Sequence, residues 1–303
     1  KMSLFQCTEE EKQKILGFHR KTQKQIDEDA ENLQNWMKKQ AHFPEILDKD
    51  IIGRFLALHK FRIQETKEIL DNYYTIRSLL PEFYEKNVND PDIKKIMDIA
   101  YHIPLPKLTK DLHRVIVSKF TGKDMDDFDS VAYMIYAVNV GEVRLREDYF
   151  LYHVFIFDFE GVKADLLLKF TPTFMKRAAL ISEKVFTTRP HGIHFINAPS
   201  YVNSFLNLLK TILKPKLASR MHVHSDMESL REALGKNVLP IDYGGEEKSL
   251  AELNDLWKQK LLEYEDVFES NRKVRVDENL RIGKSLNTEF YGIEGNFKKL
   301  EID

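Results

Sequence analysis

Few residues in this chain have types and spacings suited to chemistry. His222 and His224 flank Val223, a period-two spacing that puts both imidazoles on one face of a strand, where two could help hold a metal ion. The sequence offers no third ligand, so packing or surface histidines are expected. Asp158 and Glu160 close the run YHVFIFDFE (152–160), at a strand end of the kind that can carry catalytic carboxylates. No histidine or lysine partner is visible for them, so a cap or turn role is expected. The acidic run DMDDFDS (124–130) fails as a calcium loop. Phe128 takes the fifth position, Asp129 the place of the glycine and Ile135 that of the closing Glu. It reads as a solvated turn or helix start. Phosphate loops of the G-x-G-x-x-G or G-x-x-x-x-G-K-[ST] kind, H-E-x-x-H, G-x-S-x-G and paired C-x-x-C are all absent. The expectation is a protein that is not an enzyme, with no metal and no cofactor.

A different signal lies in residues 189–225. They carry Arg189, Lys210, Lys214, Lys216 and Arg220, with four histidines and no acidic residue. The same stretch holds YVNSFLNLLKTIL, whose Phe205, Leu206, Leu209, Ile212 and Leu213 are apolar. An apolar helix beside a cationic patch suits contact with an anionic membrane surface. Composition alone favours a core helix beside a solvated charged face.

The elements that position these residues fall into two kinds. Residues 8–40 are charged and helical in pattern, with Ile15, Phe18, Ile26, Leu33, Trp36 and Met37 on an apolar stripe. Asp50 is the expected N-cap of IIGRFLALHKF, and a further helix runs through ETKEILDNYYTIRSLL to Pro81. Beyond Pro91 the pattern changes. HRVIVSKF (113–120), YHVFIFDFE and GIHFINA (192–198) read as strands, separated by helices at about 128–146, 172–187 and 200–213. Strands alternating with helices predict an α/β unit. LPIDYGG (239–245) terminates it, one more helix follows through SLAELNDLWKQKLLEYEDVF, and an extended tail ends the chain. The predicted domains are a helical unit at 1–90, an α/β domain at 91–245 and a C-terminal helix and tail at 246–303.

Composition agrees with such a fold. The 303 residues are 43% hydrophobic and 31% charged, with a net charge of −2, which argues against a generally basic nucleic-acid binder. Cys7 is the single cysteine, so no disulfide forms within the chain and a reducing compartment is expected. No run of 18 apolar residues appears, and the first residues lack the apolar stretch of a signal peptide. A cytosolic monomer is the expectation.

Taken together, the blocks resemble the CRAL-TRIO family of lipid carriers, which includes tocopherol, retinaldehyde and phosphatidylinositol transfer proteins. DIIGRFLALHKFRIQETKEIL is similar to the family's N-terminal helical signature. FIFDFEG, LLKFTP, GIHFINAP, RMHVHSDMESL and VLPIDYGG resemble successive blocks of its lipid-binding domain, in order. VGEVRLREDY and the tail YGIEGNFKKLEID resemble the insect α-tocopherol transfer protein-like branch. The resemblance implies a parallel-dominated α/β sheet flanked by helices, with a mobile gate helix at about 200–213, preceded by a small all-helical domain. It also implies one bound lipophilic ligand and transient association with an anionic membrane, with a phosphoinositide as a possible second partner.

Mapped onto this sequence, the resemblance assigns a pocket. His153, Phe155 and Phe157 alternate onto one face of the central strand, with Ile193 and Phe195 beside them on the next. Tyr133, Tyr136, Ala137 and Val140 repeat at helical spacing as one wall, and Asn139 joins Tyr133, Tyr136 and His153 as a polar contact. Ala178, Ile181 and Phe186 line the next helix, and Phe205, Leu206, Leu209, Ile212 and Leu213 belong to the gate. The headgroup and membrane set is His59, Arg189, Lys214, Lys216 and Arg220. It departs from the family pattern. Ala57 and His59 stand where arginines are usual, His191 replaces another, and KPKLASR is about one helical turn shorter than the usual spacer. Tyr152 replaces the usual glycine before the central strand.

Overall fold

The computed structural model describes residues 3–212 and 215–282. Four helices open the chain: α1 (Glu9–Phe18), α2 (Gln23–Met37), α3 (Lys49–Leu58) and α4 (Ile63–Leu79). The charged stretch at 8–40 splits in two because each half begins with a reciprocal cap. The Thr8 hydroxyl accepts from Glu11 N at 3.1 Å, and the Glu11 carboxylate accepts from Thr8 N at 2.8 Å. Thr22 and Gln25 repeat the arrangement. The third helix is preceded by Asp48, so Asp50, expected as the N-cap, lies in its first turn. There its charge still favours the helix dipole. Ile26, Leu33 and Met37 of α2 pack with Ile52, Phe55 and Leu56 of α3 and with Leu70 and Tyr73 of α4.

The α/β part follows as α5 (Pro91–Ile99), β1 (Ala100–Leu108), β2 (Arg114–Phe120), α6 (Ser130–Glu147), β3 (His153–Asp158), α7 (Ala164–Leu168) and α8 (Pro172–Lys184). It continues as β4 (Pro190–Ile196), α9 (Ser200–Ile212), α10 (Pro215–Ala218), β5 (Met221–Val223) and α11 (Met227–Leu234). The sheet order is β1-β2-β3-β4-β5, with β1 antiparallel to β2 and all other pairs parallel. The three strands expected from sequence are thus present, and the fold is the expected parallel-dominated α/β sheet behind a helical unit. Two edge strands were not expected. Strand β1 carries Pro104 and Pro106, which remove ladder donors and are tolerated only at an edge or bulge. Strand β5 is three residues long.

This strand order separates the two faces of the sheet. Four parallel strands stepping in one direction, joined by right-handed crossovers, put α6, α8 and α9 on the same side. That side carries Ile116, Phe155 and Ile193 in one row and Ser118, Phe157 and Phe195 in the next. The opposite face carries Val115, Val117, Val154 and Ile156. It is sealed by Leu230 and Leu234 of α11 and by Leu253, Trp257 and Leu261 of α12 (Leu250–Leu262). The single helix expected after LPIDYGG breaks near Tyr264 into α12 and α13 (Glu265–Lys273). The terminator requires glycine at Gly245, where an added Cβ would lie 1.9 Å from Leu239 O.

Two devices bind the helical unit to the α/β part. Arg77 of α4 pairs with Glu142 of α6 at 2.6 Å, both fully buried, and Tyr73 Oη donates to the same carboxylate at 2.8 Å. The segment after α13 returns to α4. Arg281 Nη1 donates to Asp71 at 2.6 Å and Nη2 to Thr75 Oγ1 at 2.7 Å, while Asp277 N donates to His42 O. The final block, YGIEGNFKKLEID, lies outside the described residues.

Candidate functional site

The pocket residues expected on β3 and β4 do come together. His153 stacks on Phe155 with ring centroids 5.8 Å apart and planes within 9°, and Phe155 stacks on Phe157 at 6.2 Å. Phe157 then stacks across the ladder on Phe195 at 5.6 Å. Strand pleating causes this, since alternate residues on one strand share a face. Phe155, Phe157 and Ile193 are part-exposed despite lying at the centre of the sheet. Phe155 belongs to none of the three apolar clusters of the described residues. Its neighbours Val154 and Ile156, on the opposite face, are buried in the main core.

One end of this aromatic row opens into a cavity of about 50 Å³. It is lined by Ile15 of α1, Arg54, Ala57 and Leu58 of α3, Gly141, Arg144 and Leu145 of α6, Asp148, Tyr149, Phe150, His153 and Phe186. Gly141 is required here, because a Cβ would meet the Phe186 ring at 2.8 Å. Asp148 is fully buried and accepts from Arg114 at 2.7 Å and from Arg144 Nε at 3.1 Å. The Arg144 guanidinium lies over Phe150, 4.7 Å from its centroid. Burial and the charge of Arg144 hold His153 well below the ordinary histidine value, so it is neutral. Its Nδ1 accepts from Arg189 N at 3.3 Å, which places the ring proton on Nε2. Sequence reasoning singled out His153 and Phe186 but missed Arg54, Arg144 and Asp148. Their available signal was a pair of arginines within otherwise apolar helices, with Arg144 four residues before Asp148.

The expected α6 wall lies at the seam between two cores. Tyr133, Tyr136 and Val140 pack with the main core, whereas Ala137 joins the cluster of the helical unit together with Ala178, Ile181 and Phe186 of the α8 region. The hydroxyls are engaged. Tyr133 Oη donates to Ser118 Oγ at 3.1 Å, and Tyr136 Oη donates to His102 O at 3.3 Å. Asn139 donates to Ile135 O of its own helix at 3.0 Å. Helix α9 seats Val202 and Leu206 against Phe195 and Met221, at the far end of the row. Phe205, Leu209 and Ile212 fall on the same helix, but their side chains lie outside the described residues, as do Leu213 and Lys214 entirely.

The expected cationic set disperses. His59 is buried and bonds Thr187 Oγ1 at 2.7 Å; burial, then the charge of Arg189, lowers it to about 4. As placed, it brings no charge to an anion at neutral pH. His59 and Arg189 line one cleft of about 250 Å³, but Glu65, Glu68 and Glu183 line it too. Arg220 donates to Pro190 O, and Lys216 is exposed on α10.

The remaining candidates resolve as structure. Asp158 is buried and, contrary to expectation, has a lysine partner: Lys119 binds it at 2.7 Å and also binds Glu160. Tyr243 Oη and Asn197 Nδ2 complete its coordination, which leaves no free carboxylate oxygen for chemistry. His222 and His224 do share a face, and the third imidazole that the sequence did not reveal is His194, aligned by the β4–β5 register. Its ring is 5.1 Å from each of the others and near-parallel to both, and its Nδ1 is 2.8 Å from His224 Nε2. Stacked rings do not converge on a point, and no metal-holding group exists among the described residues. Burial and the neighbouring imidazoles push His194 down to about 3. In the acidic run, Lys169 Nζ occupies the carbonyls of Met125, Asp126 and Phe128, and Asp129 caps α6. Burial raises the Cys7 thiol to about 11, which makes it unreactive at neutral pH.

A parallel-dominated sheet with a part-exposed aromatic face under its crossover helices defines the α/β domain. Comparison places it. Residues 100–245 match the CRAL/TRIO domain model and residues 22–96 the Pinta-like, UBA domain model. The protein called alpha-tocopherol transfer protein-like from Homo sapiens is 26% identical over 248 residues, covering 79% of this chain and 70% of its own. Clavesin-1 from Rattus norvegicus is 28% identical over 204 residues, covering 65% and 57%. The crystal structure of Sfh5 matches in fold, with a TM-score of 0.50 at 14% identity over 80% of this chain and 97% of that one. Residues 100–245 therefore form a CRAL/TRIO domain. No helix of the described residues is long and apolar enough to cross a membrane.

Proposed function

We propose that this protein binds one hydrophobic small molecule over the aromatic face of its sheet and carries it between membranes. The observation that carries this reading is the aligned row His153–Phe155–Phe157–Phe195, whose middle rings, Phe155 and Phe157, are part-exposed. Two rings and Ile193, left incompletely buried at a sheet centre, forgo packing that the opposite face achieves fully, and an apolar guest restores it. The names of relatives support a tocopherol-like cargo, and a retinoid or carotenoid shares its chemistry.

The mechanism follows from solvation. A chain of 20 methylenes leaving a bilayer for water faces roughly 16 kcal/mol, at about 0.8 kcal/mol each. A dry aromatic trench returns a similar amount by burial. Helix α9 serves as the gate and opens at the membrane, where its apolar face stays among lipid. Lys216 and Arg220 hold the protein there. The cargo leaves chemically unchanged, since Asp158 is held by Lys119, Tyr243 and Asn197. A phosphoinositide is not favoured at the His59–Arg189 cleft, where three glutamates face a single arginine, Lys184 and a neutral imidazole.

Organic extraction of the purified protein followed by lipid mass spectrometry tests the reading. The expected result is one lipophilic species at near-equimolar amount, recovered intact after incubation with vesicles. Protein that carries none and takes none up from vesicles overturns it.

A further inference from the structure

The cavity at the head of the aromatic row holds more positive charge than its neighbours neutralise. Arg114 and Arg144 share the single carboxylate of Asp148, with side-chain exposures of 0%, 10% and 0%. Arg114 is saturated: it reaches both Asp148 oxygens and the carbonyls of Leu105 and Pro106. Arg144 spends Nε on Asp148, while its Nη2 is buried without a partner among the described residues. An orphaned guanidinium donor beside a cavity is costly unless something accepts from it. His153 lines the same cavity and presents an Nε2–H that bonds nothing among the described residues. The volume of about 50 Å³ exceeds the 10–15 Å³ that one water needs, and suits a group of about three heavy atoms.

We propose that this cavity receives the carboxylate of the cargo, so that the protein carries a long-chain or isoprenoid acid rather than a neutral alcohol. The inference rests on the carrier reading above and specifies its ligand class. One carboxylate oxygen accepts from Arg144 Nη2 and the other from His153 Nε2, and the acid's negative charge offsets part of the surplus that Arg54 and Arg144 bring to the cavity. The tail then lies along the Phe155–Phe157–Phe195 row toward α9. From His153 to Phe159 the strand direction spans about 20 Å, which fits an extended chain of that class. A phosphodiester headgroup is too large for the cavity. Burial, which outweighs the attraction of Asp148, and the like charge of Arg114 lower Arg144 from its ordinary value, a cost that an anionic guest would relieve.

The test compares two probes with the same tail, oleate and oleyl alcohol, titrated into delipidated full-length protein at pH 7.5. Oleate is expected to bind at least tenfold more tightly. In Arg144→Met that preference falls to within about twofold, because oleate loses far more affinity than oleyl alcohol. Arg144→Lys retains part of the preference because the charge remains. Thermal melting of each variant checks folding, and if Arg144→Met does not fold, the native pair and Arg144→Lys decide. Equal affinities in the native protein overturn the acid-head assignment while leaving the carrier reading intact. A preference that survives Arg144→Met overturns the assignment to this cavity. Binding of neither probe, together with no extractable lipid, removes the carrier reading itself.

Discussion

Two carboxylates near the C-terminal end of α6 each gather two arginines, and they do opposite things with them. Glu142 is surrounded by Arg77, Arg146 and the Tyr73 hydroxyl. Burial alone would raise its carboxyl, but the charges of Arg77 and Arg146 outweigh that and hold it below the usual range. Arg77 also has unpaired nitrogens, yet its guanidinium lies 3.8 Å over the Tyr73 ring and close to Tyr84, with aromatic faces in place of open space. Six residues further on, Asp148 gathers Arg114 and Arg144 beside a cavity. The chemistry is the same in both. What differs is the filling: rings enclose Arg77, a staple between helical unit and sheet domain, whereas Arg144 has a ring, Phe150, on one side and lines a cavity as well.

The contrast can be broken at several points. The largest effect is expected at the staple. Glu142→Ala leaves Arg77 buried and uncompensated, and costs about 3–5 kcal/mol in urea unfolding. A loss under about 1 kcal/mol would mean the junction is wetter than its burial indicates. The next test sets the two sheet faces against each other. Ile156→Ala, in the sealed core, costs about 2–5 kcal/mol. Phe155→Ala, one residue away on the open face, costs the ligand-free protein under about 1 kcal/mol and instead lowers cargo affinity. Equal stability losses would mean the open face is packed.

A smaller effect concerns pH. His153 has a folded-state value well below its unfolded value near 6.5, so the unfolded chain binds the extra proton in the interval between. Its contribution is complete above about pH 6.5 and is lost as pH falls, at about 1.4 kcal/mol per pH unit. His153→Phe is expected to flatten the stability profile between pH 6.5 and 5; an unchanged slope would place the titration elsewhere, with His194 next. The smallest effect is at the surface. Lys216→Ala with Arg220→Ala is expected to slow transfer from anionic vesicles by about thirtyfold, at roughly 1 kcal/mol per residue, with ligand affinity in solution unchanged. Equal loss of both would indicate a folding defect.

Much of the sheet was legible because its strands advertise themselves. The runs around Val115, Val154 and Phe195 are β-branched or aromatic, and strict period two assigned His153, Phe155 and Phe157 to one face. Strand β1 was invisible because Pro104 and Pro106 argue against a strand, until side chains such as Trp257 Nε1 and Arg114 are seen serving its carbonyls. His194 escaped notice as the third imidazole because parallel register cannot be read from two separate segments. The Arg54–Arg144–Asp148 surroundings escaped for the same reason: Arg54 and the Asp148 carbonyl it binds are 94 positions apart.

The return of the chain end to α4 sets an order of events during synthesis. Asp71 and Thr75 leave the ribosome early, yet their partner Arg281 lies 210 positions downstream of Asp71. At 5–20 residues per second, the opening helices wait about 10–40 s for that clasp. During that interval the nascent helices must persist on their own apolar seam, so a slowed ribosome would lengthen their exposure to chaperones and proteases.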